Sequence, residues 1–160
     1  MTVIDVRKDL TARTMTITAE FDAPVEQVWR MWADPRLLER WWGPPSYPAT
    51  FVEHGLTPGS RVTYFMTSPE GDRYHGYWTI TSVDAPKGLS FDDGFADADG
   101  NPNDAMPTSV IQVRIDEHGD RTRMSIETTF ASTEAMDQLL SMGMEEGMTL
   151  AMGQIDELLV

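Results

Sequence analysis

The stretch FDAPVEQVWRMWADPRLLERWWGP, residues 21–44, holds two short helices and the signals that stop them. Pro24 suits a first helical turn, because its missing N–H would have no partner there, and Glu26 complements the positive end of the helix dipole. Val25, Val28, Trp29 and Trp32 recur at helical spacing. Asp34-Pro35 ends this helix and caps a second, Pro35–Trp42, which Gly43-Pro44-Pro45 terminates. Four tryptophans crowd this stretch: Trp29, Trp32, Trp41 and Trp42. Core packing accounts for most of them, and the alternative role is a flat apolar wall at a cavity mouth. Trp41 and Trp42, adjacent on one helix, are not expected to point inward together.

Upstream, Thr14–Phe21 alternates with period two, placing Met15, Ile17, Ala19 and Phe21 on one face of a half-buried strand. The opening Met1–Leu10 reads as an extra strand or a loose arm, within a single domain spanning residues 1–160. Downstream the pattern is strand after strand: Ala49–His54, Ser60–Met66, Arg73–Val83, Leu89–Phe95, Thr108–Ile115 and Arg121–Phe130. Turn chemistry separates them at Pro58-Gly59, Pro69–Asp72, Pro86–Gly88 and Glu117–Asp120. Ser132 then caps a helix to the C-terminus, with a kink expected near Gly143. One face of that helix carries Leu140, Met144, Met148, Ala151, Met152, Ile155 and Leu159. A half-buried antiparallel sheet needs a cover, and this helix is the only element long enough to provide it.

That order, and the words within it, resemble the START-like (SRPBCC) superfamily. The specific branch is the one related to the C-terminal domain of the activator of the Hsp90 ATPase. The matching words are residues 21–44 above, PGSRVTYFM and SPEG within Pro58–Gly71, VDAPKGLSF at Val83–Phe91, TRMSIETTF at Thr122–Phe130, and GMEEGMTLAMGQIDELL at Gly143–Leu159. The resemblance implies an α+β helix-grip (Bet v 1-like) fold: a curved antiparallel sheet wrapped around a long C-terminal helix, with two short helices after the first strand. It also implies a cavity under the last helix, used by various members for apolar ligands, for cyclase or hydratase chemistry, or replaced by work on a chaperone. Relatives often carry an aromatic and a Leu where this chain has Met148 and Met152, which predicts a softer wall here.

Composition narrows the partners. Twelve basic against 26 acidic side chains give a formal charge of −14, a surface that repels nucleic-acid backbones and anionic lipid heads. With no cysteine, disulfides, thiolate metal sites and cysteine nucleophiles are excluded. No apolar run approaches the length of a membrane span, and the start lacks a signal-peptide pattern, so a cytoplasmic protein is expected. A monomer and a homodimer fit equally well.

Strand alternation nominates inward faces: Val62, Tyr64 and Met66; Trp78 and Ile80; Ile111, Val113 and Ile115; Met124, Ile126 and Phe130. A bulge in Arg73–Val83 would exchange that strand's faces. The expected ligand-binding set is Trp29, Trp41, Tyr64, Met66, Trp78, Ile80, Val113, Met124, Met144, Met148 and Met152. Tyr64 and Trp78 stand out because each has a polar tip that needs a partner. Gly143, Gly147 and Gly153 cost helix stability and call for close packing or a hinge. No catalytic constellation is visible: His118 sits in a turn, His54 and His75 lie on different strands, and a His75–Tyr or His75–Glu53 pair is the nearest candidate. An EF-hand frame over Asp92–Asp104 fails, with Phe95 and Met106 at its terminal ligand positions, leaving an acidic loop that could gate a cavity. The expected function is binding of an apolar or aromatic small molecule, with no cofactor and no metal. Enzymatic use of the same cavity and a chaperone-regulating role are the alternatives.

Overall fold

The computed structural model describes residues 3–159; Met1, Thr2 and Val160 lie outside the described residues. Eight strands form one sheet: β1 (Val3–Asp9), β2 (Thr14–Phe21), β3 (Ala49–Glu53), β4 (Arg61–Thr67), β5 (Arg73–Asp84), β6 (Gly88–Ala96), β7 (Ser109–His118) and β8 (Arg121–Phe130). The order is β1-β2-β8-β7-β6-β5-β4-β3, antiparallel throughout. The opening segment is thus a strand, at the edge beside β2. Helices α1 (Val25–Ala33) and α2 (Pro35–Trp41) follow β2, and α3 (Thr133–Ser141), α4 (Met144–Met152) and α5 (Ile155–Leu158) follow β8. This is the expected α+β helix-grip arrangement.

The local signals act as read. Asp34 accepts from the backbone N–H of Arg36 at 2.9 Å, capping α2. Ser132 accepts from the N–H of Ala135 at 3.0 Å, capping α3. The nominated inward side chains Val62, Tyr64, Trp78, Ile80, Ile111, Val113, Ile115, Met124, Ile126 and Phe130 are all buried, and Met66 is half-buried. The irregularity in β5 falls between Ile80 and Ser82, beyond Trp78, so the faces keep their assignment where the cavity lies.

One expectation is sharpened and one needs correction. The kink expected near Gly143 is a full break: Gly143 takes φ 91°, a left-handed conformation that ends the α3 segment and starts α4. A second break at Gly153-Gln154 separates α5. Trp41 and Trp42 are also both buried, with rings 5.6 Å apart and edge-on. They manage this by packing on different partners. Trp41 turns toward α1 and donates its indole N–H to the carbonyl of Met31 at 2.9 Å, while Trp42 packs on Trp78 at 4.9 Å.

Candidate functional site

The C-terminal segment is tied down at several points that set its height over the sheet. Gln154, in the α4–α5 break, donates to the carbonyls of Trp41 at 3.3 Å and Gly43 at 2.6 Å. Lys8 on β1 pairs with Glu145 at 2.5 Å, and Gln27 donates to the carbonyl of Leu159 at 3.2 Å. Between these ties α4 spans the space above β4, β5 and β6 without filling it.

What remains is a cavity of about 300 Å³. Met144, Gly147, Met148 and Ala151 face it from α4, at the i, i+3, i+4, i+7 positions of one helical face. Leu139 and Met142 add to this wall from α3 and its end, Trp41 and Trp42 from the end of α2, and Tyr64, Met66, Tyr74, Asp93 and Phe95 from the sheet. Tyr74 and Met142 border it while each remaining 57% exposed, so it reaches solvent on that side. Pro107, the last residue of the polar loop, borders it too. Elsewhere that loop is held by its own side chains: Asp97 accepts from the N–H of Asp99 at 2.9 Å and of Asn101 at 3.0 Å.

Gly147 is not a close-packing point. A Cβ there would meet nothing within 4 Å, so the missing side chain widens the cavity. Gly143 supplies the left-handed break, and a Cβ at Gly153 would meet the carbonyl oxygen of Leu150 at 3.4 Å.

One end of the cavity is polar. The Tyr64 hydroxyl donates to Asp93 Oδ1 at 3.3 Å. Burial pushes the Asp93 carboxyl up to about 7, and only partly do Tyr64 and the nearby Trp78 offset this by favouring the carboxylate. Burial first, and then the charge of Asp93, raise Tyr64 well above the usual phenol range. Two indole N–H groups, of Trp42 and Trp78, come near this pair, yet both are buried without a hydrogen bond of normal geometry. Around them the aromatic rings interlock: Trp78 stacks on Phe91 at 4.2 Å and Tyr64 on Phe51 at 5.1 Å.

Of the residues expected to line a ligand site, Trp41, Tyr64, Met66, Met144 and Met148 border the cavity. Trp78, Ile80, Val113, Met124 and Met152 do not border it; they are buried core, where the small helices and α4 pack directly on the sheet. Trp29 is half-buried against that core on α1, away from the cavity. His54 is structural: its Nε2 meets the carbonyl of Trp32 at 3.0 Å, and burial lowers its pKa. His75 borders the cavity, but its ring lies 5.5 Å from that of Phe65, its register partner, on the strand parity opposite to Gly76 and Trp78. It pairs with neither Glu53 nor a tyrosine there.

Asp93 escaped the sequence reading, although the signal was present. It shares the parity of Leu89 and Phe91 on β6, so period two places its carboxyl inward.

Residues 22–160 match the family model described as activator of Hsp90 ATPase homolog 1-like protein. The chain belongs to that family. Among solved structures, protein Ms6760 from Mycobacterium smegmatis is similar at 55% identity and a TM-score of 0.92, covering 99% of this chain and 97% of that one. A protein from Arthrobacter aurescens is similar at 49% identity and a TM-score of 0.94, covering 99% and 92%. A Staphylococcus epidermidis protein shares the fold at 26% identity and a TM-score of 0.84, covering 98% and 93%. No curated protein matches the chain. No helix among the described residues is long and apolar enough to cross a membrane.

Proposed function

We propose that this family member binds an apolar or aromatic small molecule in the cavity under α4, as a carrier, sequestering protein or sensor. The observation that carries the reading is the unfilled space itself: about 300 Å³, walled mainly by methionine, leucine and aromatic side chains, with the hydrogen-bonded Tyr64–Asp93 pair on the wall. That is the composition of a ligand pocket rather than of a packing defect, since few apolar contacts cost so little to improve as the bare Cβ position of Gly147. Trp41, Tyr64, Met66, Met144 and Met148 are the proposed contacts, and the methionines let the wall adjust to the guest. Native mass spectrometry of the purified protein, with extraction of any co-purifying molecule, tests this. A guest-free protein that also leaves its tryptophan fluorescence unchanged against apolar probes would overturn it.

A second reading, acid–base catalysis in the same cavity, is favoured by Asp93, a carboxyl with a pKa of about 7 beside Tyr64. Chemical conversion of a bound guest, lost in Asp93→Asn with binding retained, would establish it. A protein-interaction role has less support: the large exposed apolar residues, Ile4, Leu10, Val52, Tyr74, Val110, Met142 and Leu150, are spread over several elements.

A further inference from the structure

We infer that the guest carries a neutral hydrogen-bond-accepting oxygen, of the ketone, aldehyde or ester class, and that this oxygen docks beside Asp93 and Trp42 with its apolar body under α4. The inference deepens the small-molecule reading above and rests on it.

The hydrogen-bond inventory points this way. The indole of Trp42 is a donor only, borders the cavity, is more than nine-tenths buried, and its N–H has no hydrogen bond of normal geometry; the Trp78 indole lies behind it in the core, out of a guest's reach. A buried unsatisfied donor is costly, and a guest that supplies an acceptor recovers that cost. Asp93 Oδ1 is occupied by the Tyr64 hydroxyl, which leaves Oδ2 to carry the carboxyl proton as a further donor. The carboxyl is protonated over the lower half of the physiological range, with a pKa of about 7.

Competing head groups fit less well. A carboxylate or phosphate would meet Asp93 and a chain of formal charge −14, with no lysine or arginine on the cavity wall. An ammonium would pair with an ionised Asp93, but the nearby indoles present their N–H edges, the positive part of the ring quadrupole. It would also leave the Trp42 N–H unsatisfied. A hydrocarbon satisfies neither that N–H nor Asp93.

The protonation of Asp93 has few other controllers. From β4 it faces Tyr64; from β5 its register partner is the neutral Trp78; from β7 its partner is the neutral Ser109. Leu139, Met142, Met144 and Met148 of α3 and α4 bring no charge, and His75 and Tyr74 on β5 are the other titratable groups bordering the space. Ketone affinity should therefore fall as pH rises through about 7.

The test compares three probes of one shape by titration calorimetry: acetylnaphthalene, its isopropenyl isostere, and naphthylethylamine. The ketone should bind at least about tenfold tighter than the alkene, the size of one net hydrogen bond, and its carbonyl stretch should shift to lower frequency on binding. Asp93→Leu should lower that ratio, leaving only the Trp42 N–H to meet the carbonyl; Asp93→Asn, which keeps a donor, should preserve it and remove its pH dependence. Equal affinities for ketone and alkene, or tightest binding of the amine, overturn the head-group inference while leaving the pocket reading standing. Failure of all three probes to bind overturns both. Should Asp93→Leu not fold, the Asn variant and the infrared shift still decide the matter.

Discussion

Tyr64 lies directly over Gly76, its register partner on the neighbouring strand: a Cβ at position 76 would sit 2.5 Å from the phenolic oxygen and 2.6 Å from the ring carbon that bears it. The glycine is therefore the space that lets the phenol reach Asp93. Strand glycines are unfavourable by themselves, and close approach of another group is the usual reason to keep one.

Gly76→Ala should displace Tyr64 and cost about 1–3 kcal/mol, the range for forcing extra volume into packed surroundings. Tyr64→Phe should not relieve the cost, because the clash includes ring carbons, whereas Tyr64→Val should relieve much of it. A double-mutant cycle read by chemical denaturation measures this coupling. Additive effects would show that the glycine is there for another reason.

The pH dependence of stability follows from two partly buried groups acting in opposite directions. Asp93 has a folded pKa of about 7, above the 3.8 of a solvated aspartate. The native state therefore holds this proton longer, so its contribution is complete below 3.8 and is lost as pH rises through about 7. His54 is shifted below its usual 6.5, chiefly by burial, so the unfolded chain binds more protons in acid and stability falls as pH drops below 6.5. Asp93→Asn should be more stable than the parent at alkaline pH, by as much as a few kcal/mol at about 1.4 kcal/mol per pKa unit. The gain should shrink as the buffer is made acidic. Parallel melting curves at all pH values would contradict the assignment.

The Gln154 side chain ties the α4–α5 break to the end of α2 through the carbonyls of Trp41 and Gly43. Gln154→Ala should cost about 1–2 kcal/mol, because it removes two partly buried hydrogen bonds. It should also raise amide exchange in Ile155–Leu158 before it does so in the central strands. Leu150→Ala, at an exposed position of the same helix, is the control and should change little.

The fold was readable because its signals are local and repeated. Period-two runs marked β2, β7 and β8, and Asp34 and Ser132 marked their helix starts. The site was readable only in part, because a cavity is a difference between what two surfaces could fill and what they do. Trp78 and Met66 look alike as inward strand residues, and only the height of α4 decides that one is sealed in core while the other borders open space. That height depends on Gln154 meeting Gly43, a contact 111 residues apart in sequence that no periodicity announces. Asp93 was hidden for a different reason: beside Asp92 and ahead of an acidic loop, it reads as one more surface charge unless strand parity is followed to the end of β6.

Met148 provides the direct test of whether the space under α4 is the binding site. It is half-buried, sits on the same helical face as Met144, Gly147 and Ala151, and borders about 300 Å³ of room. An indole at this position can turn into the cavity without displacing core residues, since Met152 and Ile155, farther along the segment, make the buried contacts with the sheet. Met148→Trp should therefore keep the parent's melting temperature to within a few degrees, a change below about 1 kcal/mol for a domain of this size. It should weaken binding of acetylnaphthalene by tenfold or more, because the added ring takes the volume the probe needs. Leu150→Trp, two residues along and 56% exposed, adds the same ring on the solvent face and should leave binding unchanged. Equal affinity in the parent and in Met148→Trp would place the probe elsewhere on the protein.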